Sequence, residues 1–135
     1  MERYVADTHA LLWHVTADPR IGTRAKTIID KCEAGETQII VPAIVLVEAV
    51  SALRNPRKGF DYDAGFFLNL LQDNKNFLIH NLTIETAISF NDNLDGLLSL
   101  HDDHDRLVVI TSKIFDDIPI ITRAEDIKLI APTIW

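Results

Sequence analysis

The stretch RYVADTHALLW, residues 3–13, decides the architecture. Tyr4 to Ala6 read as a buried strand and Leu11 to Trp13 as the inner side of a helix, with Asp7 at the junction between them. A carboxylate is costly to bury as a charge unless something compensates it. Two readings are open at this point. Asp7 caps the helix through its side chain, a common role at such a position, or it belongs to a cluster of acids at one end of a sheet.

Working outward, Gln38–Val41, Phe77–His80 and Ile118–Ile121 are further strand candidates, with an edge strand near Thr133–Trp135. Helical patterns fill the intervals. Thr23 is expected to cap a helix through Ala25, Ile28, Ile29 and Cys32 that Gly35 ends. Pro42 suits a first helical turn, where a missing N–H costs nothing. Asp61–Leu71 and Thr83–Leu94 read as helices, and Asp102 or Asp103 caps one that runs through Leu107, Ile110 and Ile114. Strands alternating with helices predict an α/β fold whose sheet is mainly parallel and covered on both faces.

The 135 residues are expected to form a single domain, 1–135, with a sizeable core. A hydrophobic share of 47% fits a packed globule and excludes a disordered chain. The most apolar run, Ile39–Val50, contains Pro42 and Glu48 and is too short to span a bilayer. The N-terminus lacks the basic region and cleavage site of a secretory signal. Cys32 is the only cysteine, so no intrachain disulfide forms and a cytoplasmic setting is expected. A net charge of −7 argues against a protein that coats nucleic acid by electrostatics alone. It leaves room for an enzyme that grips a phosphate through a divalent ion, whose charge reverses the local sign.

Two further acids stand out beside Asp7. Glu48 is a lone carboxylate within VPAIVLVEAVSAL, on a helical stripe with Ile44 and Ser51. A solvent-facing stripe is the plain alternative. Asp105, in HDDHDRLVVITSKI, opens a helix whose dipole favours negative charge, and with Asp102 and Asp103 it also reads as simple decoration of that terminus. The combination is more informative than any member. In an open parallel sheet the C-terminal ends of the strands meet at a crevice, where acids from separate segments converge. Three like charges share a pocket cheaply only around a cation. An all-oxygen donor set suits Mg²⁺ or Mn²⁺, and these ions accept phosphate oxygens as remaining ligands, which points to phosphodiester chemistry.

DTHALLW, the glutamate of the apolar helix, DDHDRL and the closing TIW, with DPR at Asp18–Arg20, resemble the PIN-domain family. More narrowly, they resemble the VapC-like ribonuclease toxins of bacterial toxin–antitoxin pairs. The resemblance spans essentially the whole chain. It implies a three-layer α/β/α sandwich and metal-dependent RNA hydrolysis. It also implies a metal site and catalytic centre on Asp7, Glu48 and Asp105, with Asp102 as an auxiliary acid, the first of a DxxDR segment. A cognate antitoxin and a homodimer follow on the same ground. One departure concerns the acid that the family often supplies in a T-x-D pattern after the late strand. This chain reads TRAED, with Ala124 at that place, so a second ion is in doubt. Glu125 or Asp126 could substitute, although Thr122 and Glu125 also have the spacing of a capping box, which is the favoured reading of Glu125.

Other features point less sharply. His101 and His104 lack the cysteine pair or helical His-Glu motif of a zinc site and read as solvated loop residues. His9 is expected to pack beside the site. No glycine-rich phosphate loop and no serine-nucleophile signature is present. Arg20, Arg24, Lys26, Arg54, Arg57 and Lys58 are basic candidates; Arg54, Arg57 and Lys58 could guide RNA phosphates, with surface solvation the plain alternative. Arg106 is a candidate to neutralise the acids. FDYDAGFFLNLL, residues 60–71, reads equally as core and as a docking or dimer surface. Two other function classes stand beside the nuclease. One is a phospho-accepting receiver, which leaves Glu48 without a role and lacks its late lysine. The other is a binding module that keeps the fold with a damaged site, motivated by Ala124.

Overall fold

The structure is a computed structural model that describes all residues from Met1 to Trp135. In chain order the elements are β1 (Arg3–Ala6), α1 (Thr8–Val15), α2 (Thr23–Glu33), β2 (Gln38–Pro42), α3 (Ala43–Arg54), α4 (Ala64–Asp73), β3 (Phe77–His80), α5 (Ile84–Asn93), α6 (Asp103–Ile114), β4 (Ile120–Ile121), α7 (Glu125–Lys128) and β5 (Thr133–Ile134). The sheet has five strands, all parallel, in the order β3-β2-β1-β4-β5.

The central strands show why helices must lie on both sides. Val5, Ala6, Ile39, Ile40, Val41, Ile120 and Ile121 are fully buried although neighbours along a strand face opposite ways. They join Leu11, Leu12, Ile29, Phe67 and Ile110 from the helices in one continuous core. The edge strand β3 is different, with Leu78 and Ile79 more than a third exposed. No helix is long and apolar enough to cross a membrane.

The strand order reverses between β1 and β4. β1 leads outward through β2 to β3, and the chain then returns to pair β4 on the other side of β1. Such a reversal leaves a crevice at the C-terminal ends of the two strands, because their outgoing connections run to opposite sides.

Several local expectations are corrected. Gly22, not Thr23, takes the cap position of α2, with no side-chain hydrogen bond, and Thr23 is already helical. A β-carbon on Gly22 would meet the main chain of Trp135 at 2.5 Å, so the close approach of the C-terminal residue selects glycine there. Pro42 ends β2 and precedes α3 instead of standing in its first turn. β4 is confined to Ile120–Ile121, after Pro119, which has no N–H for a ladder. α4 starts at Ala64, where Asp63 accepts a hydrogen bond from Phe66 N at 3.0 Å. Within residues 60–71, Phe67 and Leu71 enter the core while Phe66 and Leu68 stay exposed, so both readings of that segment hold for different residues.

Candidate metal centre

Asp7 follows the last residue of β1 and faces the crevice at the strand-order reversal. The capping reading of it is realised. Its Oδ1 accepts a hydrogen bond from Thr8 N at the start of α1 at 2.7 Å, and its Oδ2 accepts the Thr122 hydroxyl at 2.7 Å. Thr122 follows β4, so the second bond crosses the switch point, beside a main-chain bond from Asp7 N to Ile121 O at 3.1 Å. Burial pushes the Asp7 carboxyl above its ordinary range, against the two hydrogen bonds and with help from Glu48.

Glu48 reaches the same rim from α3. Its Oε1 accepts the Thr8 hydroxyl at 3.0 Å, so Thr8 touches both carboxylates, one through its main chain and one through its side chain. Its Oε2 lies 2.9 Å from Nδ1 of His104, whose pKa is raised by that hydrogen bond. Asp105, in the first turn of α6, accepts no hydrogen bond from the protein. Its carboxyl is pushed up to about 6, first by burial and then by the charges of Asp7, Asp102, Asp126 and Glu48. Asp102 caps α6, accepting a hydrogen bond from Asp105 N at 2.9 Å.

The three acids therefore share one electrostatic environment but are not drawn into tight contact. The only three metal-ligating side chains whose donor atoms all lie within 4.8 Å of one another are His14, Asp30 and Glu33, away from the crevice. The donor atoms of Asp7, Glu48 and Asp105 do not all come that close together. No arginine or lysine pairs with any of them. Their donor set is all oxygen, and the Asp105 carboxylate accepts no hydrogen bond, so these side chains have the chemistry for a hard divalent ion that retains waters.

Two further expectations are corrected here. The Thr122–Glu125 capping box does not form. α7 has no side-chain cap, and the Thr122 hydroxyl instead donates to Asp7 and accepts from Ala124 N at 3.1 Å. Glu125 is exposed, whereas Asp126 is half-buried and its charge is felt by Asp105. Arg106 does not neutralise the acids at the crevice. Its guanidinium donates to the carbonyls of Leu97 and Leu100 and pairs with Asp103 at 3.1 Å.

A pocket of about 190 Å³ opens beside Asp7, walled by His9, Trp13, Thr122, Arg123 and Ala124. His9 packs on Trp13, with ring centroids 5.1 Å apart. A second cleft of about 350 Å³ lies on the Glu48 side; it includes Ser51, Lys58 and His104, but not Arg54 or Arg57. Sequence reading passed over Thr8 and the Glu48 contact of His104, and it assigned Thr122 to a capping box instead of to Asp7. The available signal was a threonine within two residues of each of two strand ends.

No family model and no curated protein matches the sequence. A solved structure does: VapBC2 from Rickettsia felis bound to a DNA fragment from their promoter. The similarity covers 98% of this chain and 97% of that one, with a TM-score of 0.67 at 12% sequence identity. At that identity the likeness is one of fold. With its five parallel strands, flanking helices and reversal beside β1, this chain has the PIN-like α/β fold that its DTHALLW and DDHDRL segments resemble.

Proposed function

We propose that this protein is a divalent-metal-dependent endoribonuclease and the toxin of a toxin–antitoxin pair. The observation that carries the reading is the set of carboxylates from three separate elements, Asp7, Glu48 and Asp105, at the strand-order reversal with no lysine or arginine paired to them. In this reading they hold Mg²⁺ or Mn²⁺, with Asp102 and Asp126 adding negative charge around the first three. Held by Asp7, Glu48 and Asp105, such an ion would supply charge neutralisation at the phosphodiester and acidification of a water nucleophile.

The protein's own contribution is positional. Thr122 and the α1 terminus fix Asp7 by its two oxygens, and Thr8 orients Glu48. His104 Nδ1 pairs with the other oxygen of Glu48 at 2.9 Å. In this reading Lys58, in the cleft beside Glu48, meets a backbone phosphate; Arg54 and Arg57 do not line that cleft. A water nucleophile does not need the ribose 2′-hydroxyl, so products carry 3′-hydroxyl and 5′-phosphate ends.

The antitoxin and the homodimer belong to the same proposal. Their support is the fold likeness to a toxin–antitoxin complex and the exposed Phe66 and Leu68 on α4. The test is cleavage of RNA by the purified chain with Mn²⁺ or Mg²⁺, with EDTA, and in Asp7→Asn. Metal-dependent cutting that the substitution abolishes supports the reading. Cyclic phosphate ends, or cleavage undiminished in EDTA, overturn it. Metal and RNA binding without cleavage would favour the non-catalytic module that Ala124 suggests.

A further inference from the structure

We propose that the groove running from the Asp7 pocket past Arg123 to Arg24 and Lys128 binds the phosphate backbone of single-stranded RNA next to the bond that is cut. The assignment of that bond rests on the nuclease reading above; the groove itself does not.

Arg123 is the link. It follows Thr122, the residue bonded to Asp7, and lines both the Asp7 pocket and a neighbouring groove of about 360 Å³. Its guanidinium carbon lies 4.4 Å from the centre of a Trp13 ring, which holds the side chain in place while it makes no hydrogen bond or ion pair with the protein. Arg24 and Lys128, also exposed and without a carboxylate partner, stand on the walls of that groove with Trp135. Glu125 is the one acid on the same walls.

Most of the chain's lysines and arginines have no carboxylate partner, so what distinguishes Arg24, Arg123 and Lys128 is their place beside the carboxylate pocket. The net charge is −7, and Arg20, Lys26, Arg106 and Lys113 are each paired with a nearby aspartate. Three unpaired cations nevertheless gather on one side of the carboxylate pocket. Trp13 adds to the case. It is buried, its indole N–H has no partner, and its rings serve as a platform for Arg20, Arg123 and the edge of Trp135. Arg20 is tied to Asp18, but Arg123, held on the Trp13 ring with its N–H groups free, suits phosphate oxygens. The continuity through Arg123 with the pocket of Asp7 favours RNA over an acidic protein segment as occupant.

The experiment measures binding of a fluorescent single-stranded RNA in EDTA, so hydrolysis does not enter, across a range of salt. Arg123→Ala, Arg24→Ala and Lys128→Ala are each expected to weaken binding by about three- to tenfold and to reduce the salt slope by about one. Lys75→Ala, which makes the same charge change at the opposite rim before β3, is expected to leave both unchanged. Should Arg123→Ala fail to fold, the two exposed positions still decide. Wild-type affinity in the groove variants, or an equal loss in Lys75→Ala, overturns the proposal; so does unchanged RNA affinity together with lost capture of an acidic peptide. Cleavage assays with Mn²⁺ separate the two readings. A wild-type chain that does not cut, with groove variants that lose binding, removes the nuclease and keeps the groove; groove variants that bind and cut normally do the reverse.

Discussion

Asp105 carries a charge that the folded protein does not welcome. Its carboxyl is raised to about 6 from an ordinary value near 4 by burial and four neighbouring acids. A raised value in the folded state means that the folded chain binds the extra proton more tightly than the unfolded one. The associated stability is therefore full below the unfolded value and is lost as pH rises through about 6. The metal-free protein is expected to gain stability on acidification from neutral pH towards the unfolded carboxylate range, before other acids protonate. Asp105→Asn should remove part of that dependence, since Asp7 and His104 are raised as well, and stabilise the metal-free chain at neutral pH by about 1 kcal/mol, a figure reduced because the carboxylate is partly solvated. Urea unfolding at several pH values checks both outcomes. Thr122→Val keeps the shape and removes one hydrogen bond from Asp7, so it is expected to cost about 1–3 kcal/mol. It should also weaken Mn²⁺ binding, read by calorimetry.

At the scale of elements, α6 shows how one acid can serve structure and site together. Asp102 accepts a hydrogen bond from Asp105 N, which fixes the first turn of the helix that presents Asp105. Asp102→Ala is expected to lower stability by about 1 kcal/mol, and Asp102→Asn, which keeps the cap but loses the charge, by much less. Thermal unfolding of the two variants separates capping from electrostatics; metal affinity that falls in both marks Asp102 as more than a cap. α4 shows what periodicity leaves undecided. Residues 60–71 carry more apolar side chains than one buried stripe needs, so pattern alone does not say which face the core takes. Packing selects Phe67 and Leu71 and leaves Phe66 and Leu68 outside.

For the whole molecule, the decisive relation is the reversal of strand order next to β1. It sets Asp7 against Thr122, residues separated by most of the chain, and opens the pocket between them. A bound divalent ion should stabilise the fold by mass action, so Mn²⁺ is expected to raise the melting temperature of the wild type and leave Asp7→Asn nearly unchanged. The far side of the groove depends on the seat of Trp135. Gly22→Ala forces a β-carbon against the main chain of that residue, for an expected cost of about 1–3 kcal/mol from overpacking. Chemical denaturation of that variant measures the cost.

The sequence by itself determined the order of strands and helices, because burial on two faces writes continuous apolar runs such as Ile39–Val41 and helix periodicity writes stripes such as Ala25, Ile28, Ile29 and Cys32. It also singled out Asp7, Glu48 and Asp105, since isolated carboxylates at strand ends and in apolar helices stand out against that pattern. Only the tertiary structure decided the partners. Thr122 bonds Asp7 where a capping box with Glu125 was expected, Arg106 turns to the carbonyls before α6, and His104 meets Glu48. Local spacing reports contacts within a turn or two of the chain. Hydrogen bonds and ion pairs depend on which atoms the packed sheet brings within about 3 Å, and that distance is set by segments far apart in sequence.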